Sequence, residues 1–137
     1  MASSPDREAI ARAGFEAFNA GDTERVLGLL SEDVEVFASP ELANAGTFHG
    51  HDGYLAWVGP WVDAWRRIET EIDRTTSVGE RHVVVEVRQT GHGREGIEVS
   101  MDVAFLFDLG EDGLVDYLAL LPDADQALRS AREREAG

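Results

Sequence analysis

The chain has no cysteine and no lysine, and no apolar run approaches the roughly 18 residues that a membrane helix needs. Without cysteine there is no disulfide, no thiolate nucleophile and no cysteine metal site. All twelve basic residues are arginine. A genome rich in G and C produces that bias without selection on function, and adaptation to high salt is the other reading. The opening MASSPDREA lacks a basic start followed by an apolar stretch, so no secretory signal is visible and a cytoplasmic location is expected. P-loop and GxSxG motifs are also missing. The net charge of -15 carries no clustered positive face, which argues against nucleic acid and anionic membranes as partners. It bears on solubility rather than on fold.

What the 137 residues do contain is enough apolar side chain, 43%, for one domain with its own core, with the two ends (1–4 and about 135–137) frayed. The three tryptophans all fall in HDGYLAWVGPWVDAWRRI, residues 51 to 68. Trp57, Trp61 and Trp65 recur every four residues, with Tyr54, Val58 and Ile68 on nearby turns, which predicts an amphipathic helix. These rings either fill a core or wall a small-molecule pocket. Gly59-Pro60 in the middle removes a backbone hydrogen bond and predicts a kink or a break.

Before that stretch, residues 5 to 19 read as a helix capped by Ser4, with Ile10, Ala13, Gly14, Ala17 and Phe18 on one face. Gly21 suits the left-handed stop, and Asp22 caps a second helix that buries Val26, Leu27 and Leu30. Residues 31 to 38 form a strand with Val34, Val36 and Ala38 inward, and 39 to 50 a loop. Strands follow over about 69–78, 81–90, 97–107 and 114–121. The third of these alternates Ile97, Val99, Met101, Val103, Phe105 and Phe107 on one face over eleven residues, the period of an antiparallel strand buried on one side. Asp123 caps a terminal helix to about Arg134. The order predicts an α+β cone: a curved antiparallel sheet wrapped around the N-terminal helices and the long third helix.

The stretches FNAGDTERVLGLLSEDVEVF and FHGHDGYLAW, in that element order, resemble the nuclear transport factor 2-like superfamily across nearly the whole chain. VVVEVRQTGHGREGIEVSMDVAFLFDLGEDGLVDY is similar to its SnoaL-like branch, close to polyketide cyclases and ketosteroid isomerase. The resemblance implies the cone and a dimer paired through the convex sheet face. Ketosteroid isomerase uses an aspartate base and an oxyanion hole of tyrosine plus protonated aspartate. By the shared NAGD turn its tyrosine position falls on Gly14, its base on Ala38 and its oxyanion aspartate on Val103. The histidine and tyrosine common among SnoaL-like relatives fall on Phe105 and Leu121. All five positions are apolar here, so steroid isomerisation by the family's residues is not expected.

Three polar candidates for chemistry remain. His49, with His51 and Asp52, forms an HxHD cluster that is either an acid/base or metal group or a solvated loop; the spacing matches no metal signature, so no metal and no cofactor are expected. Asp102 neighbours the family's catalytic position but has outward parity unless a bulge reverses it. Tyr117, placed inward with Val115 and Ala119, is a lone polar group for the cone or a hydrogen-bonded structural tyrosine. His82 and His92 read as surface residues.

Three functions fit. The first is a binder of a small hydrophobic molecule, lined by Phe18, Val36, Ala38, Trp57, Trp61, Met101, Val103, Phe105 and Tyr117. The second is a cyclase, isomerase or hydrolase using Tyr117, His49 or Asp102. The third is a ligand-free homodimer module, joined through Val84, Ala104, Leu106, Leu118 and Leu120 on the convex face.

Overall fold

Local capping sets the first two helices. In the computed structural model, which describes residues 6–42 and 45–136, Asp6 rather than Ser4 caps α1 (Arg7–Asn19), its carboxylate accepting from the Glu8 and Ala9 amides. Ser4 lies outside the described residues. Gly21 takes φ +73, and Asp22 caps α2 (Thr23–Leu29) through the Arg25 amide. The deeply buried side of α1 is Ala11, Phe15 and Ala17, with Ile10 and Phe18 packed against the same core, so the inward side keeps most of the expected stripe and adds Ala11 and Phe15 to it.

Strand β1 (Leu30–Ala38) buries Val34, Val36 and Ala38 as its alternation predicts. The segment read as a loop contains a short strand instead, β2 (Gly46–His49), antiparallel to β1. Four residues with two polar side chains carry too little periodicity to announce themselves. Helix α3 (Gly50–Ala64) runs unbroken through Pro60. Trp65 stands just past its end in extended backbone, so the tryptophan stripe covers only Trp57 and Trp61 on the helix itself.

Strands β3 (Arg67–Val78), β4 (His82–His92), β5 (Glu98–Leu109) and β6 (Val115–Leu121) complete a six-stranded sheet in the order β2-β1-β6-β5-β4-β3. Neighbours are antiparallel except β1 and β6, which run parallel. A 3-10 turn, Arg94–Gly96, joins β4 to β5, and the Gly110–Gly113 turn joins β5 to β6. Helices α1 to α3 and the inner sheet face share one core, centred on Val34, Val36, Val83, Val85, Phe105 and Leu120.

The last helix corrects an expectation. Helix α4 (Ala124–Ala136), started by Asp123 bonding the Gln126 amide, lies on the opposite face of the sheet from the other three. Its small Ala127 and Ala131 let it approach Val84, Ala104, Leu106, Ala119 and Leu121 closely. The convex patch expected to join two copies is therefore not open. Val84, Ala104 and Leu106 are covered by the chain's own α4, and Leu118 and Leu120 face the inner core.

Two further placements depend on strand detail. Strands β4 and β5 pair without a break, so Val103, Phe105 and Phe107 look inward as predicted. Ile97, Val99 and Met101 share that face but are 58%, 48% and 42% exposed, because β5 outruns its cover and β6 pairs with it only from Ala104 onward. In β6 the register shifts between Val115 and Tyr117. One extra residue at Asp116 flips the side chains after it, a general property of such irregularities. Val115 faces inward while Tyr117 joins the α4 side.

Candidate functional site

Helix α1 packs on α2, β3 and β4, whereas α3 rests on β1 and β2. The space between them holds a chamber of about 70 Å³. Its walls are aromatic and aliphatic: Phe15 and Phe18 from α1, Tyr54, Trp57 and Trp61 from α3, and Phe105 and Phe107 from β5. The rings interlock, Phe15 standing edge-on to Phe105 at 5.1 Å and Tyr54 edge-on to Trp57 at 6.0 Å. Among the described residues no charged side chain lines the chamber, and its polar side chains beyond the tyrosine and the indoles are Thr70 and Gln89. Outside lies a groove of about 400 Å³ between the α1–α2 corner and the end of α3. Chamber and groove share Phe18, Val26, Tyr54 and Val58, which form the partition between them.

Of the expected lining residues, Phe18, Trp57, Trp61 and Phe105 meet at the chamber. Val36, Ala38 and Val103 are buried core beside it rather than its wall. Met101 is too exposed to take part, and Tyr117 lies behind the sheet. Of the positions carried over from the family, Gly14 and Phe105 line the chamber, Ala38 and Val103 are core, and Leu121 packs on the α4 side.

The candidate chemistry lies elsewhere. His49 is exposed and makes no capping bond, while His51 Nε2 lies 3.0 Å from the Leu30 carbonyl, which accepts from it. Asp52 is exposed, and among the described residues no three histidine or acidic side chains gather as metal ligands. Asp102 points to the outer face and accepts from Arg88 Nε at 3.0 Å, a bond that holds its carboxyl below the usual carboxylate range. Tyr117 sits under the Arg134 guanidinium, 3.6 Å from the ring centre, and burial pushes its phenol up. His82, read as a surface residue, is buried, with Nδ1 at 2.5 Å from Asp108.

Among the described residues Tyr54 is the one titratable group lining the chamber. It is 6% exposed, and burial pushes its pKa from 10.0 to about 12. At neutral pH it is an uncharged phenol, able to donate a hydrogen bond and unsuited to accept a proton as a base. Its effect on stability has a definite sign. Below pH 10 both folded and unfolded chains keep the proton; from 10 to about 12 only the unfolded chain gives it up, so stability falls across that window. The loss amounts to about 2–3 kcal/mol. Urea unfolding at pH 9 and pH 11.5 should show it in the natural chain, and Tyr54→Phe should remove that part of the slope. An unchanged slope in the variant would mean that Tyr54 ionises as an exposed phenol does.

Sequence reading missed Gln89, Thr70 and Phe15, though signals for the first two exist. Gln89 continues the inward alternation of Val83, Val85 and Val87, and Thr70 stands between Ile68 and Ile72 at the same parity. A single polar residue at a core parity position is such a signal.

A SnoaL-like domain model matches residues 11–117. The chain belongs to the SnoaL-like family. Within the nuclear transport factor 2-like superfamily, this SnoaL-like chain shares its fold with several solved structures. TerC, crystallised with polyporic acid, is 18% identical with a TM-score of 0.74, over 93% of this chain and 98% of that one. RV0760c from Mycobacterium tuberculosis, in complex with estradiol-17β-hemisuccinate, is 16% identical with a TM-score of 0.73, over 90% and 97%. Δ5-3-ketosteroid isomerase from Mycobacterium sp. is 18% identical with a TM-score of 0.73, over 90% and 96%. No curated protein matches the chain. Among the described residues, no helix is long and apolar enough to cross a membrane.

Proposed function

We infer that this SnoaL-like chain binds a small, uncharged, largely apolar molecule between α1, α3 and the inner sheet face. The observation that carries the reading is a chamber walled by seven aromatic rings with no charged side chain in its lining among the described residues. Ligand sites are mostly apolar hollows with a few placed polar groups. At about 70 Å³ the chamber accepts only part of a ligand. An apolar cavity of about 150 Å³ is known to take benzene. The remainder lies in the outer groove, reached by moving the Phe18–Val58 partition. The apolar residues at the five carried-over family positions support binding over isomerisation, and the ligands crystallised with TerC and RV0760c support a small-molecule occupant. Turnover by Tyr117, His49 or Asp102 is not part of the proposal, since all three lie outside the chamber lining.

Toluene is a suitable probe, followed by the indole N–H resonances of Trp57 and Trp61. A saturable shift is expected in the natural chain. Gly14→Leu should abolish it, because a Cβ at Gly14 meets nothing nearer than Leu29 Cδ1 at 3.9 Å and the side chain can occupy the chamber. The same change replaces a mid-helix glycine, which favours the helix by about 0.5–1 kcal/mol, so the thermal midpoint should hold or rise. A natural chain that shows no saturable shift would end the proposal.

A further inference from the structure

Thr70 and Gln89 face each other across β3 and β4 and both line the chamber. They are 7% and 6% exposed, and neither Thr70 Oγ1 nor Gln89 Oε1 has a hydrogen-bond partner among the described residues. Such groups are rare, because a buried polar atom without a partner forfeits the hydrogen bond that water gave it.

The backbone explains why the two side chains stand so close. Strand β3 is at the edge of the sheet, and the Asn19 side chain, at the end of α1, closes that edge at Thr70. Asn19 Oδ1 accepts from the Thr70 N–H at 2.8 Å, and Asn19 Nδ2 donates to the Thr70 carbonyl at 2.9 Å. Both backbone groups of Thr70 thus point away from β4. Thr70 and Gln89 are therefore a non-hydrogen-bonded cross-strand pair, the kind whose side chains approach most closely.

Resting on the binding reading above, we propose that the ligand carries one uncharged hydroxyl, received by this pair. A hydroxyl donates one hydrogen bond and accepts others. Its proton goes to Gln89 Oε1, which can only accept, and its oxygen takes the Thr70 hydroxyl proton. Both unpartnered atoms are satisfied by one ligand group, and the part of the ligand inside the chamber otherwise meets aromatic and aliphatic wall. A carboxylate finds no cationic side chain in the lining and an ammonium no carboxylate, so either would be buried without a counter-charge. A pure hydrocarbon leaves the pair as it stands. The ligand class is a neutral alcohol or phenol on an apolar body.

Phenol, toluene and benzoate share one ring and differ in the group that would reach Thr70 and Gln89. Their dissociation constants are measured by calorimetry on the natural chain and on the variant carrying both Thr70→Val and Gln89→Leu. Phenol should bind the natural chain more tightly than toluene, although phenol is the better hydrated of the two. In the variant the order should reverse, with the phenol-to-toluene affinity ratio falling by at least about tenfold, and toluene binding should survive. Benzoate should bind neither. The ligand-free variant should melt no lower than the natural chain, because it loses two unpartnered polar atoms and no hydrogen bond. Toluene binding the natural chain as tightly as phenol, a phenol preference that survives both substitutions, or benzoate binding ahead of phenol would each overturn the hydroxyl assignment and leave the binding reading intact. A natural chain that takes up none of the three overturns both. The comparison within the natural chain stands even if the variant does not fold, and Thr70→Ser, which keeps the hydroxyl, should retain the phenol preference.

Discussion

Asp108→Ala should lower the free energy of unfolding by about 3–5 kcal/mol, the range for removing one partner of a buried ion pair. Asp108 is 4% exposed on β5, on the outer face of the sheet. It joins His82 Nδ1 at 2.5 Å and Arg134 Nε at 2.6 Å. His82 is itself buried and turns Nε2 to Glu135 at 3.1 Å, so one carboxylate holds two residues that fasten the end of α4. The Arg134 guanidinium in turn covers the Tyr117 ring. With alanine at 108, His82 keeps only the half-exposed Glu135 as a partner, and Arg134 swings toward solvent. Helix α4 then loosens over Val84, Ala104 and Leu106, which it covers. Urea unfolding reads the loss directly, and self-association of the variant should rise as that apolar face opens. A loss under about 1 kcal/mol would mean that alanine packing alone holds α4 and that the polar network adds nothing.

The same corner shows where residues speak for the fold and where they do not. The alternation through β4 and β5 was legible because both strands pair without a break, so parity counted from Val83 or Val103 holds along their length. Parity in β6 was not, because the irregularity at Asp116 depends on its neighbours in β1 and β5 rather than on anything local. That single residue moves Tyr117 from the chamber to the back of the sheet. Helix α4 was legible as a helix from Asp123 and the residues after it, but its side of the sheet was not. Ala127 and Ala131 are weak apolar signals, and the His82–Asp108–Arg134 contact that fixes the helix spans distant segments. The chamber was half legible. Its aromatic walls follow from helical and strand periodicity, whereas its depth depends on how far α1 sinks between α3 and the sheet. That depth decides that Phe15, and not its exposed neighbour Glu16, meets Phe105.

Phe15 therefore joins stability to binding, and Phe15→Ala should move the two in opposite directions. Its ring is 7% exposed and stands edge-on to Phe105 at 5.1 Å and to Phe107 at 5.8 Å, while those two stack on each other at 5.8 Å. Truncation removes the buried ring and two edge-to-face contacts, and should lower the unfolding free energy by about 3–5 kcal/mol. The loss lies at the upper end because Phe105 and Phe107 are held in strand register by β4 and β6 and cannot close the gap. The space left behind adds to the existing chamber, since Phe15 forms part of its wall. Toluene should then bind the variant more tightly than the natural chain and recover part of the lost stability, by an amount that grows with the logarithm of its concentration over the dissociation constant. A variant that loses stability without gaining toluene affinity would show α1 sinking into the gap. In that event the chamber is set by the depth of the helix and not by the rings, and the aromatic wall would no longer explain what the site admits.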